Sequence, residues 1–221
     1  MRPVSNVKSN VKSNVKFVAL GFLLVAVVVG MSGCVSKLND TPTTQTNLPS
    51  LKASFAAKGI AGMDRLDQDE VQRLCTEYAQ KPLPPEMATK IQQSQLATIK
   101  QPASGKLIGD WKAGEALAQE GRGLQFSDKT GGPQGGNCYA CHQLSHEEIA
   151  YGNVGPSLYN YGKLRGQSDA MVQYTYAKLY NSQAYSACSN MPRFGHNHIL
   201  TPEQIADIVA LLMDPQSPVN R

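Results

Sequence analysis

Residues 135–146, GGNCYACHQLSH, bring together side chains whose types and spacing suit redox or metal chemistry. This stretch contains two of the five cysteines and two of the four histidines of the chain. The order Cys138-x-x-Cys141-His142 is the attachment pattern of a c-type haem. The two thiols add to the two vinyl groups of the porphyrin, and the histidine that follows directs an imidazole nitrogen at the iron. The pattern therefore predicts one covalently attached haem c on Cys138, Cys141 and His142.

Two other functions use a Cys-x-x-Cys pair, and both find less support here. A structural zinc site needs two further Cys or His residues at ligand spacing, and the chain contains no second Cys-x-x-Cys. A thioredoxin-like dithiol is expected within a βαβ pattern, which does not surround this motif.

The iron of such a haem takes a second axial ligand or keeps an open position. Six side chains after the motif are candidates: His146, Met171, Met191, His196, His198 and Met213. His146 follows His142 by only four residues and would have to cross the porphyrin plane. Met171 and Met213 fall within predicted helices, where a methionine at helical spacing usually packs in the core.

Met191 is the favoured sixth ligand because of its local sequence, CSNMPRFG. Pro192 and Gly195 favour an extended loop, which can hold a thioether against the face of a ring. His196 and His198 are stronger ligands in principle, but histidines just before a helix are more often solvated or capping residues. Both histidines, and an open iron position, remain alternatives.

The first 34 residues have the pattern of an export signal. The tetrapeptide SNVK repeats three times and places Lys8, Lys12 and Lys16 before the apolar run 17–31. That run is shorter than the ~20 residues of a typical transmembrane helix, so it indicates a secretory signal over residues 1–33. Ser32-Gly33-Cys34 resembles a bacterial lipobox, which predicts lipidation of Cys34 and a membrane-tethered periplasmic protein. Ordinary cleavage nearby and an uncleaved anchor are the alternatives.

The net charge of +4 comes largely from this signal. Four basic residues and no acidic ones precede Cys34, so 17 basic residues face 17 acidic residues in the remainder. A chain of balanced charge gives no indication of nucleic-acid binding.

The remainder divides into three parts by composition. Residues 34–50 are rich in Thr, Pro and Asn and predict a flexible tether. Residues 51–105 predict a helical N-terminal extension that ends at the sequence QPASG, and residues 106–221 predict the haem domain. No alternating strand pattern of any length occurs, so the predicted fold class is all-α.

Five helices are predicted, over 67–80, 85–100, 110–120, 168–180 and 201–214. Asp110 is the predicted cap of the third, in which Gly114 and Ala118 form a small-residue face for close approach by another element. In the last helix, Thr201 is followed by proline and, three residues later, by glutamine, the pattern of a capping box.

The order of these elements resembles a class I cytochrome c: capped helix, CxxCH, GPSL, helix, MPRFG loop and final helix. Residues 106–221 resemble more narrowly the SoxX family, through NMPRFG and LTPEQIADIVALLMDPQSPVN. The resemblance implies axial ligation by His142 and Met191, with the carbonyl of Pro156 on the far nitrogen of His142. It implies a heterodimer with a SoxA-type cytochrome, action on a SoxYZ carrier in thiosulfate oxidation, and a downstream cytochrome as electron acceptor.

Within such a complex, the resemblance assigns electron transfer to this chain and the reactive cysteine to the SoxA-type partner. No catalytic nucleophile is therefore expected here. The alternatives are a lipid-tethered cytochrome that serves another periplasmic oxidoreductase, and a haem protein with an open iron that acts as a sensor or peroxidase.

Cys75 and Cys188 remain once the haem and the lipid have taken the other three cysteines. In an exported protein an even remainder tends to pair, so the sequence predicts a disulfide between them. The bridge would attach the extension to the loop that carries Met191. Two separate buried thiols are the alternative.

Overall fold

The computed structural model describes residues 48–221, which fold as helices and loops around one main core. The α-helices are α1 Leu48–Ala53, α2 Glu70–Glu77, α3 Pro85–Leu96, α4 Trp111–Gln119, α5 Tyr161–Arg165, α6 Asp169–Tyr180 and α7 Pro202–Met213. Short 3-10 turns lie at Met63–Leu66, Cys138–Ala140, Ser182–Ala184 and Pro218–Asn220. Within the described residues no strand forms beyond one isolated bridge, and the all-α prediction is confirmed.

The predicted signal and Cys34 lie outside the described residues, as does nearly all of the predicted tether. In the part of the chain that the structure describes, no helix has both the length and the apolar character needed to cross a bilayer.

Helices α4 and α7 pack against each other at very short distance. Gly114 and Ala118 are both buried, and a Cβ added at Gly114 would lie 2.1 Å from the carbonyl oxygen of Asp207. The backbone before α4 is also tied to α7, because Gly109 N donates to Ala206 O at 3.0 Å. The predicted small-residue face is therefore the contact between the two helices.

Helix α7 forms the centre of the core. Its first turn has the predicted capping box, in which Gln204 N donates to the Thr201 hydroxyl at 3.2 Å and the Gln204 side chain accepts from Thr201 N at 2.9 Å. The apolar stripe Ile205, Ile208, Val209 and Leu212 is at most 3 % exposed. Helices α5 and α6 pack on α7 and complete the core.

The extension helices are shorter than their periodicity predicted. Helix α2 begins at Glu70 because the Asp69 carboxylate caps it, accepting from Gln72 N at 2.8 Å. Helix α3 ends at Leu96 rather than at Lys100. The Thr98 hydroxyl donates to Gln95 O at 2.7 Å, which gives that carbonyl a partner outside the helix.

The extension packs on the segment 176–197 of the haem domain. Val71, Ile91 and Ala187 form a second, smaller apolar cluster at this contact. At the end of the extension, the Tyr176 hydroxyl donates to Lys100 O at 2.7 Å. Helix α3 lies against the 3-10 turn Ser182–Ala184. These contacts place the extension directly beside the loop of Met191.

Candidate haem site

The Cys-x-x-Cys-His motif forms a tight turn. Asn137 has a left-handed backbone (φ 46°) and leads into a 3-10 turn at Cys138–Ala140. Cys141 N and His142 N both donate to Cys138 O, at 3.1 and 2.9 Å. Neither Cys138 nor Cys141 is in a disulfide. One turn of chain therefore carries both thiols and the histidine, which is what attachment to one ring requires.

The orientation of the His142 ring is fixed by the segment that follows the motif. Its Nδ1 lies 2.7 Å from the Pro156 carbonyl oxygen, to which it donates as the N–H tautomer, leaving Nε2 with its lone pair for a metal. A Cβ at Gly155 would lie 2.1 Å from Cε1 of the ring, so only glycine leaves room there. Gly155 N also donates to Cys141 O at 2.8 Å.

The surroundings of Cys138 favour an uncharged sulfur. Its side chain packs against the main core, and burial raises the pKa of its thiol to about 12. A zinc ligand or a redox dithiol needs an accessible thiolate, whereas the thioether of an attached haem carries no charge. Among residues 48–221 no group of three or more His, Cys, Asp or Glu side chains is arranged to hold a metal ion.

The loop of Met191 is held on both sides of that residue. The buried Ser182 hydroxyl donates to Met191 O at 2.6 Å, and Met191 N donates to the Ser189 hydroxyl at 3.2 Å. The Met191 side chain is half-buried and packs against the same core as Cys138. The structure thus brings the predicted sixth ligand and one haem-attaching cysteine to one core.

The other candidate ligands have contacts of their own. His196 Nδ1 lies 3.3 Å from the Thr98 hydroxyl, and burial followed by the nearby Arg193 charge lowers the pKa of its ring. His146 is exposed and packs against Tyr159, with 3.8 Å between the ring centroids. His198 is also exposed and has a left-handed backbone (φ 55°).

Met171 and Met213 both belong to the core. Met213 is 2 % exposed, and the half-buried Met171 packs against the main apolar cluster. Their positions match the core role that the sequence suggested for methionines within helices.

A disulfide joins Cys75 of α2 to Cys188, with their Cα atoms 5.5 Å apart. These are the two cysteines for which the sequence analysis found no other role. Asp69 and Arg193 form a second link between the same segments, with Asp69 Oδ2 at 2.6 Å from Arg193 Nη2. Burial alone would raise the pKa of Asp69, but the hydrogen bond from Gln72 N and the pairing with Arg193 hold it below its ordinary value.

Comparison with known proteins agrees with this geometry. Residues 112–214 match the sequence model of cytochrome c. A protein of Aquifex aeolicus (strain VF5) named "Uncharacterized lipoprotein" is 42% identical over 182 residues, which is 80% of this chain and 82% of that protein. Residues 112–214 of this chain form a cytochrome c domain. The similarity to the Aquifex protein is longer than the haem domain, so it reaches into residues that precede it.

This cytochrome c carries a covalently bound haem c, and the described residues fit that group. Cys138 and Cys141 would supply the thioether bonds, and His142 would supply an imidazole whose free nitrogen is set by the contact with Pro156. When bound, the haem iron alternates between the ferric and ferrous states and so takes up or gives one electron. The protein keeps the histidine ring in one orientation, which limits the rearrangement that accompanies each change of charge.

Sequence reasoning missed several residues of this site. The Ser182 contact with Met191 and the Arg193 pair with Asp69 gave no sequence signal, because each depends on how distant segments pack. The sequence drew attention to the neighbourhood of Gly155, because this glycine precedes the proline whose carbonyl was assigned to His142. That Gly155 leaves room for the His142 ring is seen only from the distance between them in the structure.

Proposed function

We propose that this cytochrome c is the electron-transfer subunit of a SoxXA-type complex. That complex conjugates thiosulfate oxidatively to a cysteine of a SoxYZ carrier. The observation that carries the proposal is the MPRFG loop, followed by the DPQSPVN ending, with Met191 held beside the core of the haem domain. The chain would then act as the electron-accepting subunit of an L-cysteine S-thiosulfotransferase, in a heterodimer with a SoxA-type cytochrome.

The chemistry of that reaction assigns a limited role to this chain. A sulfur of thiosulfate bonds to the sulfur of the carrier cysteine, the thiol proton is lost, and two electrons leave. This chain would hold, through Cys138, Cys141 and His142, the haem that would accept these electrons one at a time for a downstream cytochrome. His/Met ligation raises the potential of a haem relative to His/His ligation, which suits an electron acceptor. The nucleophile for sulfur is expected on the SoxA-type partner.

A lipid anchor at Cys34 is part of the proposal. The Aquifex relative is named a lipoprotein, and Ser32-Gly33-Cys34 resembles a lipobox. We infer a periplasmic protein tethered to the membrane through the lipid. Mass spectrometry of the mature N-terminus tests this inference, and an unmodified terminus at any other residue contradicts it.

Replacement of the ligand tests electron transfer by a His/Met haem. Met–Fe(III) coordination gives an absorption band at roughly 695 nm in the oxidised protein, and Met191→Ala should abolish it while the haem stays covalently attached. Met171→Ala is the matched control, since Met171 is also a half-buried methionine against the same core. The control should keep the band. A wild-type protein without the band, and a Met191→Ala spectrum unchanged from it, would contradict Met191 as the ligand.

Co-purification tests the complex. Isolation of the native protein should also isolate a partner that carries a haem and a reactive cysteine. When thiosulfate and the carrier are added to the two proteins together, their ferric haem should be reduced. The lipoprotein name of the relative also fits a stand-alone tethered cytochrome that serves another oxidoreductase. The second function would be favoured if the chain purifies without a partner. It would also be favoured if thiosulfate and the carrier reduce the electron acceptor equally well when this chain is removed from the assay.

A further inference from the structure

Two segments of the surface expose large apolar side chains. One is 51–63, which begins within α1, and the other is 124–126, in the loop that leads to the haem motif. The described residues include three phenylalanines: Phe194 is 6 % exposed, whereas Phe55 and Phe126, in these segments, are 54 % and 48 % exposed. Three more apolar side chains are exposed there: Leu51, Met63 and Leu124. Single exposed apolar residues are ordinary, but a group of them marks a surface that contacts something else.

Direct contacts join the two segments. The Arg65 guanidinium, in the stretch that follows the first segment, donates to the carbonyl oxygen of Leu124. The Lys58 ammonium lies 3.9 Å from the centroid of the Phe126 ring. The backbone of Gly59 also approaches Phe126 so closely that an added Cβ would lie 1.8 Å from its carbonyl oxygen. The two segments therefore form one surface.

The other exposed apolar residues of the first segment lie beside this contact. Phe55 precedes Lys58 by three positions, and Met63 precedes Arg65 by two. Three residues of chain span at most about 11 Å, so Phe55 lies close to the Lys58 contact. We name this surface the phenylalanine patch and define it by four residues: Phe55, Met63, Leu124 and Phe126.

The charges around the phenylalanine patch suit anionic lipid headgroups. Two cations of the segments 51–67 and 122–134 are already in ion pairs, Lys52 with Asp67 and Arg122 with Glu120. The remaining charged residues give a slight positive excess: Lys58, Arg65 and Lys129 against Asp64 and Asp128. Exposed aromatic rings with cations beside them are typical of surfaces that lie on a bilayer, because the rings enter the headgroup boundary and the cations attract anionic lipids.

The chain that precedes α1 favours the bilayer as the occupant of the patch. If Cys34 carries a lipid, as proposed above, only the 13 residues 35–47 separate the anchor from Leu48. They hold Leu48 within about 50 Å of the bilayer at full extension. Phe55 follows the end of α1 by two residues, so the patch begins where the tether ends. A tethered surface meets the bilayer at high effective concentration, and even a weak affinity then suffices for docking.

We propose that the phenylalanine patch docks on the bilayer that holds the lipid anchor, with the rings of Phe55 and Phe126 at the boundary between headgroups and acyl chains. The proposal rests on the lipidation of Cys34 in the proposed function. The loop that carries Phe126 closes directly before the haem motif, where Asn137 N donates to Glu120 O at 3.1 Å. Docking therefore sets which side of the haem domain faces the membrane. A partner protein is the other class of occupant, and the test separates the two.

Photo-crosslinking of the mature lipidated holoprotein tests the docking in vesicles of phosphatidylethanolamine and phosphatidylglycerol. The vesicles contain a phospholipid with a diazirine near the headgroup end of one acyl chain, and mass spectrometry identifies the peptides that acquire it. We expect lipid adducts on 51–63 and 124–126. Phe55→Ser/Phe126→Ser should lower their yield at least about tenfold, because each half-exposed ring buries roughly 100 Å² on insertion.

Leu164→Ser is the matched control. Leu164 of α5 is 78 % exposed, more than either ring, and lies outside the patch. Its replacement should leave the adducts on 51–63 and 124–126 unchanged. Both variants replace exposed side chains, so their Soret spectra should match that of the wild type.

Failure of lipidation and failure of docking give different results. The mass of the mature N-terminus shows whether Cys34 carries a lipid. If it does not, a chain that begins at Val35 after a hexahistidine tag, held on the same vesicles by a nickel-chelating lipid, repeats the test with a tether of similar length. Adducts on the two segments that depend on the phenylalanines support the docking in either form. Absence of adducts there, or adducts that Phe55→Ser/Phe126→Ser leaves unchanged, overturns it and favours a protein partner for the patch.

Discussion

The disulfide between Cys75 and Cys188 gives the most direct test of how the extension supports the haem site. The change is the double variant Cys75→Ala/Cys188→Ala. Single replacements are less suitable, because they leave one thiol that competes for Cys138 and Cys141 before the haem is attached. Chemical reduction is also unsuitable, since thiol reductants reduce the ferric iron.

The size of the effect follows from the length of chain that the bridge closes. Cys75 and Cys188 are 113 residues apart. In the chain-entropy model a loop of that length corresponds to about 5 kcal/mol of stability, reduced by any strain in the folded state. That is a large share of the ~5–15 kcal/mol by which a domain is typically stable. The variant should still fold, because the main core around α7 contains neither cysteine.

Urea unfolding of the ferric holoprotein measures this effect through two signals. Far-ultraviolet circular dichroism reports global unfolding, and the methionine band at roughly 695 nm reports the ligand loop. We expect the double variant to lose about 3–5 kcal/mol in the free energy of unfolding. We also expect its methionine band to disappear at lower urea than the helical signal, since the bridge ends three residues before Met191. In the wild type the two signals should change together.

A hydrogen bond across the same contact provides the control. The Gln92 amide donates to Tyr185 O at 3.2 Å without a covalent link, and Gln92→Ala should cost less than about 1.5 kcal/mol. If the double variant loses no more than this control, and its two signals stay coincident, the disulfide does not stabilise the ligand loop and the reasoning is wrong.

Three further substitutions test single contacts. Gly155→Ala places a Cβ against the His142 ring, so we expect loss of the orienting contact and a lower yield of low-spin haem, visible in the Soret spectrum. Asp69→Asn removes a carboxylate whose pKa is held below its ordinary 3.8 by its partners, Arg193 included. Such a group stabilises the fold above pH 3.8 and loses its effect as the pH falls below it. The stability difference from wild type in urea unfolding should therefore be largest near neutral pH and shrink in acid. Gly114→Ala improves helix propensity by about 1 kcal/mol but forces α4 away from α7. We expect a net loss of about 1–2 kcal/mol in thermal unfolding, and a gain would contradict the close contact.

The parts of the fold that the sequence predicted depend on local signals. The capping box at Thr201 and the cap at Asp110 each involve residues within one turn of a helix, and both helices begin where those signals place them. The small-residue face of α4 was also visible, because Gly114 and Ala118 are one helical turn apart. The haem motif is local as well, since its three functional residues lie within five positions of the chain.

The parts that the sequence did not predict depend on distant pairs. Arg193 and Asp69 are far apart in the chain, and nothing in MPRFG indicates that its arginine is buried against the N-cap of α2. The end of α3 was also missed. The periodicity of the sequence continued to Lys100. In the structure, however, the Thr98 hydroxyl donates to the carbonyl of Gln95 in α3 and accepts a hydrogen bond from Asn181 of the haem domain.

These distant pairs change where the functional unit begins. The cytochrome c sequence model starts at residue 112, and composition placed a boundary at 105, yet buried groups of the haem domain find their partners in the extension. Asn181 is fully buried, and its Nδ2 donates to Gln95 Oε1 and to the Thr98 hydroxyl, both at 3.0 Å. Without the extension this amide would lose both partners, which costs about 1–3 kcal/mol for a group that stays buried. The next residue is Ser182, which holds the carbonyl of Met191. The segment before residue 105 is therefore part of the scaffold of the ligand loop, and the haem domain in isolation would lack the contacts of Asn181, the residue beside Ser182.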